Sequence, residues 1–265
     1  MRILSFGVMA LLALPALSAC ENGGTDPEDR IPARVEVVDG SGQQGTAGQA
    51  LAQPIRVRVV DERGRPVPGQ SVNFVVTGGG GTVSVATVTS DDQGIAATQW
   101  TLGTSAGAAQ TLEARVAGPN GQAIVSDPVT ATARAAAAAK LVSATPTQPP
   151  QAGSVGGPTR DSLAVQVLDQ YNNPVPGATV SWAVAAENGG GSVSPAQSTT
   201  NANGIARAQW TLGTFTNGLQ VATASVAGAP TLSLTARAAN NITPVQGNNI
   251  TASGGTTITP VATLG

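Results

Sequence analysis

Histidine is absent from the 265 residues, and cysteine occurs once, as Cys20. Without imidazole, and with one thiol, Ser-His-Asp and Cys-His catalysis have no residues to draw on. Metal sites built from imidazole or several thiolates are likewise excluded. No cofactor and no metal are expected. Charge is scarce too, at 11% of residues with a formal net charge of −2 and no block of one sign, so a nucleic-acid partner is excluded. After Leu17 no apolar run is long enough to cross a bilayer. What the chain has in quantity is Gly, Ala, Val and Thr, a mixture suited to small β-rich extracellular modules rather than to a helical enzyme.

The N-terminus joins Arg2, an apolar stretch from Ile3 to Leu17 and the small residues before Cys20. That is the build of a secretory signal. Its end, Leu17-Ser-Ala-Cys20, resembles the lipobox of bacterial lipoproteins. The resemblance implies cleavage before Cys20, acylation of its thiol and new amino group, and Cys20 as lipidation site and membrane anchor. An ordinary signal peptide cut near Ala19 is the alternative. It would leave a lone thiol exposed in an oxidising compartment, a liability. Two or more acyl chains anchor stably where one does not. The expected location is the cell envelope, lipid-anchored at the outer membrane or cell surface. Glu21 is not the aspartate that holds enteric lipoproteins at the inner membrane. The mature chain of about 246 residues, with 12 basic and 15 acidic side chains, has room for two ordinary domains.

Internal repeats organise the rest. Val57-Arg-Val-Val-Asp61, a four-residue turn and Pro66-Val-Pro-Gly69 recur 108 residues later as Val165-Gln-Val-Leu-Asp169, a turn and Pro174-Val-Pro-Gly177. Gln99-Trp-Thr-Leu-Gly-Thr104 recurs letter for letter as Gln209-Trp-Thr-Leu-Gly-Thr214, at a shift of 110. The two added residues fall in Ala185-Ala-Glu-Asn-Gly-Gly-Gly191, opposite Thr77-Gly-Gly-Gly-Gly81. Thr132-Ala-Arg134 and Thr235-Ala-Arg237 differ by 103, which assigns seven extra residues of the first copy to Pro119-Asn-Gly-Gln-Ala-Ile-Val-Ser126.

The hydrophobic period is two. Ile55-Arg-Val-Arg-Val59 alternates apolar with basic residues, Val72, Phe74 and Val76 share one side, as do Val180, Trp182 and Val184, and Ala206, Ala208, Trp210 and Leu212 read inward. Gly and Pro clusters separate these runs at short spacing, the pattern of an all-β sandwich. Gly64 in one copy is Asn172 in the other, the two residue types that most readily enter left-handed backbone space, so this position calls for a positive φ. Asp61 and Asp169 open their turns, where a carboxylate accepts backbone N–H groups.

The order Val-x-Val-x-Asp, Pro-Val-Pro-Gly, an alternating strand, a Gly-rich turn, Asp/Asn-x-x-Gly-Ile-Ala and Trp-Thr-Leu-Gly is similar to the group-one bacterial Ig-like domains of invasin- and intimin-type surface proteins. The resemblance covers both copies. It implies seven-to-nine-strand sandwiches used in tandem to build stalks and adhesins. A lipobox stands where such proteins carry an outer-membrane barrel, and nothing here matches their lectin-like tip.

The expected architecture is therefore all-β, two tandem Ig-like β-sandwiches after a lipoprotein signal peptide. The segments are a signal at 1–19, a lipidated flexible tether at 20–32 carrying Asp26, Glu28 and Asp29, sandwiches at 33–135 and 138–239, and a tail at 240–265. The tail looks like the start of a third module and reads as largely disordered, with a truncated gene product or a donated strand as alternatives. The joint Arg134-Ala-Ala-Ala-Ala-Ala-Lys140 holds no Gly or Pro to turn the chain back, which predicts an elongated rod.

Each candidate chemical motif has a plainer reading. Gly40-Ser-Gly-Gln-Gln-Gly45 matches Gly-x-Gly-x-x-Gly, but a strand rather than a helix follows it, so it reads as a loop. Ser90-Asp-Asp-Gln-Gly94 suggests calcium, yet its counterpart Thr200-Asn-Ala-Asn-Gly204 has no carboxylate, and a β-turn is the better reading. Trp100 and Trp210 are candidates for a sugar platform or for core; alternation favours core. Tyr171, in a turn, is the candidate for an exposed contact. Asn241-Ile-Thr and Asn249-Ile-Thr match the glycosylation pattern without meaning in a bacterial chain. The partners expected are the membrane, through the N-terminal lipid, and an unknown protein or glycan at the cell surface. The function expected is a non-catalytic stalk or adhesin, or alternatively a carbohydrate-binding module.

Overall fold

The computed structural model describes residues 30–146, 150–186 and 189–240, and the backbone of 242–244, 250–252 and 257–258. The expected signal and anchor at Cys20, most of the tether, and Asn241 and Asn249 lie outside the described residues.

The named elements are all strands. In the first sandwich, β1 (Arg34–Asp39), β3 (Ile55–Val60) and β7 (Ile95–Thr98) form one sheet, antiparallel throughout. After Gln99, β8 (Trp100–Leu102) pairs with β5 (Gly81–Val83). The second sheet runs β2 (Gln43–Thr46), β11 (Val129–Arg134), β9 (Ala109–Ala117), β4 (Ser71–Gly78), β6 (Thr87–Thr89), with β10 (Ala123–Val125) added beside β9. The β2–β11 pair is parallel.

The second copy repeats this plan. One sheet is β12 (Ala138–Ser143), β14 (Leu163–Asp169), β18 (Ile205–Leu212), β16 (Gly191–Ser194). The other is β13 (Gln151–Ser154), β20 (Leu232–Ala239), β19 (Gln220–Ser225), β15 (Thr179–Val184), β17 (Gln197–Thr199), again with a parallel pair at β13–β20. Beyond it, β21 (Ile242–Pro244), β22 (Ile250–Ala252) and β23 (Thr257–Ile258) pair in that order.

Alternation decides what each sheet buries. Val57, Val59, Val72 and Trp100 are fully covered in the first core, and Val165, Val167, Val180 and Trp210 in the second. Burying one such side chain contributes roughly 1.5–3 kcal/mol. The third tryptophan, Trp182, is also buried and donates its indole N–H to Ser198 Oγ at 2.8 Å.

The ladders correct one alignment. Gln110 pairs with Ala131 and its counterpart Gln220 with Ala236, so the last strands correspond at a shift of 105, not 103. The first copy thus carries five extra residues, not seven, and they build the hairpin that includes β10. A slip of two leaves every side chain on the same face, so the hydrophobic pattern cannot distinguish the two registers.

Candidate interaction site at the poles of the two sandwiches

The turn between β14 and β15 is organised by one carboxylate. Asp169 is fully buried, and its Oδ1 accepts the backbone N–H groups of Tyr171 (2.8 Å) and Asn173 (2.9 Å). Asn172 between them has φ 67°, and Gly64, its counterpart, φ 77°, the positive value their identities called for. In the first copy Asp61 Oδ1 accepts from Arg63 and Arg65 in the same way.

The copies differ at the second carboxylate oxygen. Asp61 Oδ2 accepts from Arg65 Nε at 2.7 Å, closing the turn on itself. Asp169 Oδ2 instead accepts from Asn173 Nδ2 at 2.8 Å and from the backbone N–H of Ala136, in the linker, at 2.9 Å. Burial pushes both carboxyls up, but the donors outweigh it. Both are held below the usual carboxylate value, Asp169 by the Asn173 amide and the N–H groups of Ala136, Asn173 and Tyr171, and Asp61 by Arg65 and the Arg63 N–H. The two aspartates thus serve separate turns and form no acid–base pair.

Asn173 then reaches the first sandwich. Its Nδ2 donates to Thr104 O at 2.8 Å, and its Oδ1 accepts from Ala106 N–H at 2.9 Å. Tyr171 packs on the first hydrophobic core, and its phenol lies where a side chain on Gly48 would be. Gly48 has φ 72°, so this seat needs glycine both for its conformation and for its lack of a Cβ. The expectation of Tyr171 as an exposed contact is therefore corrected: the ring is spent on the joint between the modules. A cleft of about 610 Å³ borders the joint, lined by Ala106, Gly107, Arg134, Pro174, Val175 and Ala202 among others.

The seat is held rigid by a residue that sequence reasoning missed. Gln110 is buried on the inward side of β9, in line with Leu112, Ala114 and Val116. Its Oε1 accepts from Gly103 N–H at 3.0 Å and its Nε2 donates to Gly79 O at 3.2 Å. Gln220 repeats this, with Oε1 accepting from Gly213 N–H at 2.8 Å and Nε2 donating to Phe215 O at 2.9 Å. A Cβ on Gly103 would collide with the Gly79 carbonyl, and one on Gly213 with the Gly189 carbonyl, which explains the glycine of Trp-Thr-Leu-Gly. The available signal was the recurrence of glutamine at a shift of 110, in phase with the inward residues Leu112 and Ala114.

The other candidates resolve into turns and core. Gly40 and Gly42 sit in a tight turn that leads into β2, with no helix following, so no dinucleotide site forms there. Asp91 Oδ1 accepts from Gln93 and Ile95 N–H groups, and Asn201 Oδ1 from Asn203 and Ile205, so the acidic side chain does a turn's work that an amide does equally well. Trp100 and Trp210 are fully buried and offer no sugar platform. No helix among the described residues is long and apolar enough to cross a membrane.

Residues 155–239 match the model of the bacterial Ig-like domain (group 1). That span runs from Val155 to Ala239 and takes in β14 to β20 of the second sandwich. The first sandwich shares its strand order, turn chemistry and glutamine latch. No curated protein matches the chain. Among solved structures, the chain is similar to the D0-D1 domain of intimin at 17% identity, covering 77% of this chain and 98% of that one with a TM-score of 0.30. It is similar to the Yersinia pseudotuberculosis adhesin InvE at 18% identity, covering 83% and 65%, TM-score 0.36. A β-glycosidase from Bacteroides vulgatus is similar at 12% identity, with 77% of this chain and 24% of that chain covered, TM-score 0.31.

Proposed function

We propose that the chain is a lipid-anchored envelope protein in which tandem Ig-like modules act as a non-catalytic stalk or adhesin in cell-surface interaction. In this reading residues 1–19 are removed as a signal peptide, Cys20 carries the lipid, residues 20–32 tether it, and residues 33–135 and 138–239 are the two modules. The observation that carries the stalk is the joint: Asn173, Asp169 and Tyr171 fix the second module on the end of the first through two hydrogen bonds to the first module, one to the linker and a seated ring. A joint of this kind transmits orientation and force, which a flexible linker does not. An envelope protein that must hold a surface away from a membrane needs that stiffness and needs no reacting group.

Two measurements test the reading. Replacing Cys20 by Ser should abolish the lipidated form and move the protein from the detergent phase to the aqueous phase; unchanged partitioning would refute the anchor. Small-angle scattering on residues 31–240 should give a maximum dimension well beyond that of one compact globule of the same mass; a globular value would refute the stalk.

A further inference from the structure

We infer that the far pole of the second sandwich is a vacant copy of the seat at the joint, and that its occupant is the turn of a further Ig-like module carrying an aromatic residue two positions before a carboxamide. The repeat places Gly156 where Gly48 stands, Thr214 where Thr104 stands and Thr216 where Ala106 stands. Gly156 keeps the same left-handed backbone, φ 68° against 72°. Gln220 latches the 213–215 backbone as Gln110 latches its counterpart. The difference is occupancy: Gly48 is covered by the Tyr171 ring, while no described residue lies within 4 Å of where a Gly156 side chain would stand. The vacant seat is also bordered by Phe215 and Leu219, both more than a third exposed, where the joint has Ser105 and Ala109. A preformed acceptor, donor and glycine floor beside exposed apolar side chains is a protein-docking surface.

The chemistry of the seat identifies the class of partner. The group that fills it must donate to the Thr214 carbonyl and accept from the Thr216 N–H, as the Asn173 carboxamide does at the joint. A second copy of this chain does not fit. Its 169–173 turn is engaged in its own joint, and its 61–65 turn presents Arg63 and Arg65. A guanidinium has donors only, so Arg65 cannot accept from Thr216.

The test compares amide exchange in the full mature chain with that in a chain whose residues 240–265 are replaced by a second copy of residues 135–239. The added copy supplies Tyr171 and Asn173 in the required turn. The Thr216 amide should exchange at least tenfold more slowly in the extended chain, and the Gly156 resonance should move. Tyr171→Ala with Asn173→Ala in the added copy alone should abolish both changes. So should Gly156→Asn, which fills the seat while tolerating its φ, as Asn172 does. Unchanged Thr216 exchange beside a folded added module would overturn the inference. Slow Thr216 exchange already present in the parent chain would overturn it in favour of residues 240–265 as occupant. Self-association of the parent chain that Gly156→Asn abolishes would overturn it in favour of a second copy.

Discussion

Asn173→Ala is the change that isolates the joint from the fold. The side chain makes two hydrogen bonds across to the first module, to Thr104 O and from Ala106 N–H, and a third within its own turn to Asp169. A typical protein hydrogen bond contributes about 0.5–1.5 kcal/mol net. The two crossing bonds together therefore stabilise the closed joint by about 2 kcal/mol. At about 1.4 kcal/mol per factor of ten, their loss lowers the closed-to-open ratio by about 30-fold. The module itself keeps its turn, because Asp169 Oδ1 still holds the Tyr171 and Asn173 backbones. Tyr171 is the single tyrosine in the chain, so 3-fluorotyrosine gives one fluorine signal, seated at the joint. The signal should shift towards that of solvent-exposed fluorotyrosine in Asn173→Ala, with little change in the melting of either module. Asn173→Asp should be worse, since it keeps the acceptor for Ala106 but faces two oxygens, Thr104 O and Asp169 Oδ2, with a carboxylate. An unmoved fluorine signal in both variants, or Asp milder than Ala, would refute the account of the joint.

Acid should loosen the same joint. The Asp169 carboxyl is held below its usual value in the folded chain, so its contribution is complete above about pH 4, the unfolded value, and is lost as pH falls through the folded one. An acid titration of the fluorine signal checks this, and opening on raising the pH instead would contradict it. Gly213→Ala, which drives a Cβ into the Gly189 carbonyl, should destabilise the second module by at least about 1–3 kcal/mol in urea melts, whereas a change within error would deny the close approach. Trp210→Ala should cost that module about 3–5 kcal/mol, and native fluorescence already at the solvent-exposed wavelength would show the ring is not core.

Much of the fold was legible because alternation and repetition are local signals. Val72 and Phe74, Val180 and Trp182, and the Ala206-to-Leu212 run face inward as their spacing requires. The turn residues were equally readable, since Gly64 and Asn172 share a backbone need that few residue types meet. What escaped was non-local or neutral to pattern. The two-residue slip in the last strand preserves every face. Gln110 and Gln220 stand at inward positions of the alternation but carry a polar label that hides them, and their partners are backbone groups of the loop just before the strand, with the distant Gly79 O added for Gln110. Tyr171 in a turn looks exposed until a second module is placed against it. No inspection of one repeat supplies that neighbour.

Comparing the two aspartate turns shows how one framework yields both a joint and an end. The Asp–x–x–x–x frame and its left-handed fourth position are fixed by backbone needs, so the side chains at 63 and 65, or 171 and 173, are free to vary without disturbing the fold. With Tyr and Asn there, the turn presents a flat ring and a group that both donates and accepts, and it seats on a neighbour. With Arg63 and Arg65, the second arginine folds back onto Asp61 at 2.7 Å, and Arg30 closes over the same pole through Pro66 O at 2.8 Å. A head-to-tail contact that does not close grows without limit. Tyr and Asn at both poles would let each chain seat on the next, so the arginine pair confines the joint to the place where the covalent linker already sets its stoichiometry. Arg63→Tyr with Arg65→Asn should then add concentration-dependent head-to-tail association that the parent chain lacks, visible by sedimentation velocity and suppressed by Gly156→Asn. A variant that associates no more than the parent chain at millimolar concentration would show that the seat at Gly156 does not read this turn.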